Sequence, residues 1–250
     1  MRGRVCPLTR GVAGARGVGS PMLQTELGKT DAVLSALAKK RPEVAAHSRR
    51  VSAYSVRLAT QYGLERDAIE TIRLGGLLHD VGKMQTKSRV LNKRGRLGAR
   101  EWQELKAHPE LGMEIAHRSG FDDDVCSIVL YHHERYDGQG YPDGLAHPAI
   151  HYTVRIVSVM DTFDALTTPR EYRERLSADA ARVLIARSSG LKFCPWVVSG
   201  LLAMPIEMLR LTADEGPMAA RHPEGLVCLP MDQLIHPRRP RADVYQACRC

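Results

Sequence analysis

Through most of this 250-residue chain, apolar residues return every third or fourth position, in stretches of helical length that end at Gly, Pro or clustered polar residues. Strand-like alternation is rare, so the expected fold class is all-α. From Pro42 to Tyr62, the residues Val44, His47, Val51, Tyr54 and Leu58 share one side of a helix that opens with proline. A second helix is expected from Glu65 to Leu78, broken by Gly82 just after His79 and Asp80. The run from Ile150 to Leu166 is rich in β-branched residues that would suit a strand, but its length favours a buried helix. Further helices are expected at Ala99–Lys106, at Pro109–His117, from Asp122 to His133 and at Ser177–Arg187. Another runs from Trp196 to Leu209, interrupted by Pro205. Residues 84–98, rich in Lys, Arg and Gly, lack helical periodicity and read as a long loop.

Composition narrows the function classes. Hydrophobic residues at 44% and charged residues at 26% fit a globular chain with a sizeable core, and no apolar run reaches the roughly 18 residues of a membrane span. The net charge of +8 is concentrated at the ends. Arg2, Arg4, Arg10 and Arg16 stand without an acid in residues 1–20, and Arg238, Arg239, Arg241 and Arg249 face only Asp243 near the other end. A charge held in two tails is not a nucleic-acid groove, so no DNA or RNA partner is expected. Six cysteines without a C-x-x-C pair and the lack of a signal-peptide core suggest a reduced, cytoplasmic setting. Three units result: a basic N-terminal extension over residues 1–28, one domain over residues 29–210, and a loosely ordered tail over residues 211–250.

The chemistry lies in histidines and carboxylates at the ends and on the faces of these helices. Glu43 and His47 are four apart and project from one helical face. His79 adjoins Asp80, His108 precedes a helix-starting proline, His132 adjoins His133, and Asp161 interrupts an apolar helix. Imidazole and carboxylate together suit Fe, Mn, Zn, Ni or Co, and Asp80 is the candidate to bridge two ions. Eight such ligands exceed what one catalytic ion needs, which implies two or three divalent metal ions. Paired ions of this kind serve in-line displacement at phosphorus, hence phosphoester hydrolysis.

The ordered series His47, His79-Asp80, His108, His132-His133 and Asp161 resembles the HD-GYP domain of the HD phosphohydrolase superfamily. The stretch H-H-E-R-Y-D-G-Q-G-Y-P-D-G-L from His132 to Leu145 strengthens the resemblance, as do the blocks L-L-H-D-V-G-K, K-A-H-P-E-L-G and D-T-F-D-A-L-T. It covers roughly Lys29 to Arg210. It implies an HD-type multi-helix bundle around a di- or trinuclear metal site, with iron or manganese common, and hydrolysis of the bacterial second messenger cyclic di-GMP to pGpG or GMP. By motif, His47, His79, Asp80, His108, His132, His133 and Asp161 are implied metal ligands, and Glu43 is the extra carboxylate of members with a third metal. Asp80 and Lys83 carry the catalytic roles, with Lys83 meeting the scissile phosphate and aiding proton delivery to the leaving oxygen. Tyr141, Arg170 and Arg173 are implied substrate contacts. Asp164 reads as a polar partner of a ligand rather than a ligand itself. Gly138, Gly140 and Gly144 are expected to shape the turn near the substrate through unusual backbone angles.

Two alternatives stay open. Residues 84–98 lack the Ile-Pro pair and Lys-Pro-Gly turn usual in relatives, which is the basis for a module that binds cyclic di-GMP or a protein partner with little turnover. The other alternative is an HD hydrolase acting on another cyclic dinucleotide or nucleotide. The residues before Lys29 are too few for a receiver domain. Regulation is therefore expected from a sensor, receiver or diguanylate cyclase partner, from a homodimer, or from sequence outside this chain.

Overall fold

The computed structural model describes residues 21–169 and 175–210, with side chains from residue 28 onward. Ten α-helices follow one another among these residues: α1 (Pro21–Lys40), α2 (Pro42–Gln61), α3 (Arg66–Leu78), α4 (Ser88–Leu91), α5 (Ala99–Lys106), α6 (His108–Arg118), α7 (Asp123–Tyr131), α8 (Tyr152–Thr167), α9 (Ala178–Ala186) and α10 (Pro195–Ala203). Three 3₁₀ turns join them, at Val81–Met84, His147–Ala149 and Ile206–Leu209. No β-strand occurs among the described residues, only two isolated bridges. The first helix starts at Pro21, inside the stretch read from composition as an extension.

The β-branched run forms α8, because Ile156, Val157, Val159, Met160 and Phe163 are all fully buried and a helix this enclosed tolerates apolar residues on most of its sides. Pro205 separates α10 from the last 3₁₀ turn, as its missing N–H requires. The segment 84–98 differs from the expected loop. It carries the short helix α4, seated by Val90 at 2% exposure and by Arg41, which donates to Ser88 Oγ at 3.0 Å and to the Thr86 carbonyl at 2.8 Å. A buried arginine from the junction between α1 and α2 sets this geometry, which no local periodicity signals. Two of the basic residues there are paired outward, Lys87 with Glu104 at 3.3 Å and Lys93 with Glu101 at 2.5 Å.

Helix α2 is the spine, packed against α1, α3 and α8, while α7 closes over α3 and α6. One apolar cluster gathers residues such as Leu58, Ile72, Val157, Phe163 and Leu201 from α2, α3, α8 and α10. A second lies under α1, with Leu37, Leu77, Val125 and Val129. Residues without bulk set the closest approaches. A Cβ on Gly76 of α3 would lie 2.8 Å from the Ser52 backbone of α2, and Ser52 Oγ donates to the Arg73 carbonyl at 2.8 Å. This crossing brings His79, at the end of α3, to His47 of α2, with ring centroids 5.2 Å apart.

Candidate metal centre

Three buried histidines are oriented by one local device. His79, His108 and His132 each place Nδ1 against the backbone carbonyl three residues earlier, those of Gly76, Leu105 and Val129, at 2.8, 2.7 and 2.8 Å. A carbonyl only accepts, so Nδ1 carries the hydrogen and each Nε2 keeps its lone pair. All three Nε2 atoms then point inward. His108 Nε2 and His132 Nε2 are 3.3 Å apart, and His79 Nε2 is buried without a hydrogen-bond partner. Facing lone pairs repel and an orphaned buried acceptor is costly, unless a cation sits among them.

Asp80 stands at the junction, 1% exposed. Its Oδ1 carries no hydrogen bond, although His108 Nε2 is 3.2 Å and His132 Nε2 is 3.8 Å away. Its Oδ2 faces His79 Nε2 at 3.4 Å, His47 Nε2 at 3.7 Å and Lys83 Nζ at 2.6 Å. Two groups of donors are thereby defined, His47 with His79 and Asp80, and His108 with His132 and His133, each with its donor atoms within 4.8 Å of one another. Asp161 Oδ1 adjoins the first group, 3.0 Å from His47 Nε2 and 3.9 Å from His79 Nε2. Seven of the eight expected ligands thus converge. Glu43 is exposed one turn before His47 and belongs to neither group. The donor chemistry and the unpartnered inward atoms fit divalent ions: this His/Asp cluster is able to bind metal.

The electrostatics follow the same division. Burial opposes the charge of Asp80, but the surrounding positive charge, Lys83 foremost, outweighs it and holds the carboxyl well below its usual range. Burial also opposes charge on Asp161, where His47 prevails and lowers it. Burial, reinforced by neighbouring imidazoles, drives His132 far down, and burial in turn takes His133 to about 3. Both rings are neutral donors. At His47 burial acts downward too, but the hydrogen bonds and charges of Asp161, Asp164 and Asp80 raise it to about 9.

His47 is oriented differently from its neighbours. Its Nδ1 lies 2.7 Å from Asp164 Oδ2, and Arg50 forks onto both oxygens of Asp164 at 2.7 and 2.9 Å. The partner role expected for Asp164 matches this geometry. Arg50 was not anticipated, because its partner is 114 residues away, although its place one turn after His47 was a usable signal. Removing the fork in Arg50→Met is expected to weaken metal binding about 10-fold, in the range seen when a ligand's supporting partner is lost. Competition against a chelating dye measures it, and an unchanged affinity would show that Asp164 holds His47 unaided.

The loop after His133 is tied from below. Glu134 Oε1 accepts the backbone N–H groups of Asp143 and Gly144 at 2.8 and 2.9 Å, a clamp that sequence reasoning missed. Gly138 and Gly144 have the expected positive φ, 77° and 69°. Gly140 is needed for a different reason. A Cβ there would overlap Arg135 N and stand 2.5 Å from Glu134 Cα, so space rather than dihedral freedom fixes it. The clamp delivers Tyr141 onto His133, with ring centroids 4.8 Å apart at 27°. Burial raises the Tyr141 hydroxyl well above its usual range, so it is a neutral donor. Arg170 and Arg173 lie outside the described residues.

A helical bundle enclosing a mixed histidine–aspartate centre defines the class of this protein. The chain matches the HD domain family over residues 32–195 and belongs to it. It is 37% identical over 174 residues to the cyclic di-GMP phosphodiesterase response regulator RpfG of Xanthomonas campestris pv. campestris, an alignment covering 69% of this chain and 46% of that protein. It is 35% identical over 182 residues to 3'3'-cGAMP-specific phosphodiesterase 2 of Vibrio cholerae, covering 72% and 35%. The chain therefore spans less than half the length of these curated relatives. In fold it is similar to the cyclic GMP-AMP-specific phosphodiesterase V-cGAP3 of Vibrio cholerae, with a TM-score of 0.55 at 20% identity over 75% of this chain and 50% of that one. Among the described residues no helix is long and apolar enough to cross a membrane.

Proposed function

We propose that this protein is a metal-dependent phosphodiesterase that hydrolyses cyclic di-GMP to pGpG or GMP. The observation that carries the reading is Asp80, whose two carboxylate oxygens face two separate histidine groups with unpartnered inward atoms. His47, His79, Asp80 and Asp161 would hold one ion, and Asp80, His108, His132 and His133 a second. Glu43, one turn from His47, is the carboxylate a third would use. Iron and manganese suit the mixed set, and zinc, nickel and cobalt accept the same donors. Bound divalent ions supply concentrated positive charge for phosphate oxygens and lower the pKa of water in the site.

The chain's own groups do the rest. The Lys83 side chain, 23% exposed, reaches from Asp80 towards solvent as a point charge for the scissile phosphate. As water adds to phosphorus and the P–O3′ bond breaks, Lys83 Nζ is placed to give the leaving oxygen its proton. Tyr141, held over His133, offers its hydroxyl and ring to the ligand. In this reading Arg170 and Arg173 grip the phosphates.

A second substrate, 3'3'-cGAMP, is favoured by relatives named for it at 33–36% identity. Protein loaded anaerobically with Fe(II) or Mn(II) is expected to convert cyclic di-GMP, with products resolved by chromatography. A large kcat/KM preference for 3'3'-cGAMP would replace the first substrate by the second. Tight binding without product in any metal would leave a binding module. The reading places the protein in the cytoplasm, which suits the buried free thiols of Cys126 and Cys194. A sensor, receiver or diguanylate cyclase partner, or a second copy, would supply its regulatory input.

A further inference from the structure

Helix α5 has no buried residue, yet it carries Trp102 at 43% exposure. The chain has only two tryptophans, and the other, Trp196, is stacked on Tyr62 with ring centroids 3.7 Å apart. Trp102 is thus not needed for a core. Glu101 and Glu104 anchor one side of α5 to the preceding segment, through Lys93, Lys87 and the Gly98 N–H. Trp102 and Lys106, four apart, share the opposite side. Lys106 Nζ lies 5.6 Å from the Trp102 ring and 4.8 Å from the Tyr141 ring. Tyr141 in turn stacks on His133 of the second donor group. A continuous strip of alternating rings and charge therefore runs from the metal centre to the open surface.

We infer that Trp102 is a stacking platform for one purine of the bound cyclic dinucleotide, with Lys106 beside it to meet the base edge or its phosphate. The inference rests on the proposed activity and extends its site to a specificity-determining residue outside the metal centre. An indole face suits any purine, and a neighbouring ammonium favours the O6 and N7 acceptors of guanine. If the ring merely shelters the Lys106 stem, any apolar side chain would serve as well.

The test compares Trp102→Leu, which keeps apolar bulk without a π face, with Trp102→Phe, which keeps the face. In Mn(II)-loaded full chain, Trp102→Leu is expected to raise KM for cyclic di-GMP about 5- to 100-fold, with kcat within about twofold and melting temperature unchanged. Trp102→Phe is expected to restore most of the loss. An unchanged KM in Trp102→Leu, or equal loss in both variants, would overturn the platform while leaving the activity standing. If the parent protein turns over no cyclic dinucleotide, the proposed activity fails, and equilibrium dialysis with labelled cyclic di-GMP decides the platform alone. Weaker retention by Trp102→Leu supports it, and equal retention or no binding to either protein overturns it.

Discussion

Asp80→Ala is expected to abolish turnover and to strip the centre of metal. Both histidine groups lose a shared partner at once, since Oδ1 faces His108 and His132 while Oδ2 faces His47, His79 and Lys83. Loss of a supporting partner alone typically costs 10- to 100-fold in affinity, so loss of a carboxylate common to both groups should exceed about 10³-fold in kcat/KM. The substitution also leaves the Lys83 ammonium without its 2.6 Å partner. Elemental analysis of the purified variant beside the parent reads the metal content, and product formation from cyclic di-GMP reads the rate. Asp80→Asn separates charge from shape, because the amide keeps the volume but cannot bridge as a carboxylate does. Parental metal content and turnover in both variants would remove the basis for a dinuclear centre.

Gly82→Ala is expected to be the most damaging single methyl group in the centre. A Cβ at residue 82 would overlap the His108 carbonyl oxygen and stand 2.6 Å from Gly112 N and 2.9 Å from His108 C. These are backbone atoms of α6, so no side-chain rotation relieves the clash. The helix must move away from the Val81–Met84 turn, taking His108 from Asp80 and from His132. Overpacking of this kind costs about 3 kcal/mol. For a domain of this size that lowers the melting temperature by roughly 6–12 °C. Scanning calorimetry of the chelator-treated protein isolates the packing effect, and a metal titration then reports the displacement of His108. A variant that melts with the parent would show that the turn and α6 have slack that their geometry does not suggest.

Apart from α1, for which the sequence raised no helical expectation, the helices were largely legible in the sequence because their signals are local. Proline opens α2, α6 and α10 within the first turn, Ser177 Oγ accepts from Ala180 N at the start of α9, and Pro205 ends α10. The short helix α4 was not legible, since it depends on Arg41 from another part of the chain. The donor residues were likewise readable, because paired His and Asp residues at helix ends are conspicuous by type and order. The expected turn glycines separated once folded: Gly138 and Gly144 hold positive φ, whereas Gly140 makes room for the backbone of Glu134.

Which donors face the same ion is a matter of helix crossings. His47 meets Asp164 across 117 residues and Asp161 across 114, and no local propensity encodes either distance. The small residues Gly76, Ser52 and Gly82 let backbones approach closely enough for those side chains to meet. Sequence alone determined the helical class and the kinds of atom available to a metal, because periodicity, breakers and residue chemistry act over a few positions, while the order of the motif blocks along the chain carried the resemblance to the family. Tertiary structure alone decided that Asp80 faces two groups, that Arg50 stands behind His47, and that Glu43 stays outside. Those outcomes depend on contacts between distant segments, fixed only when the cores close.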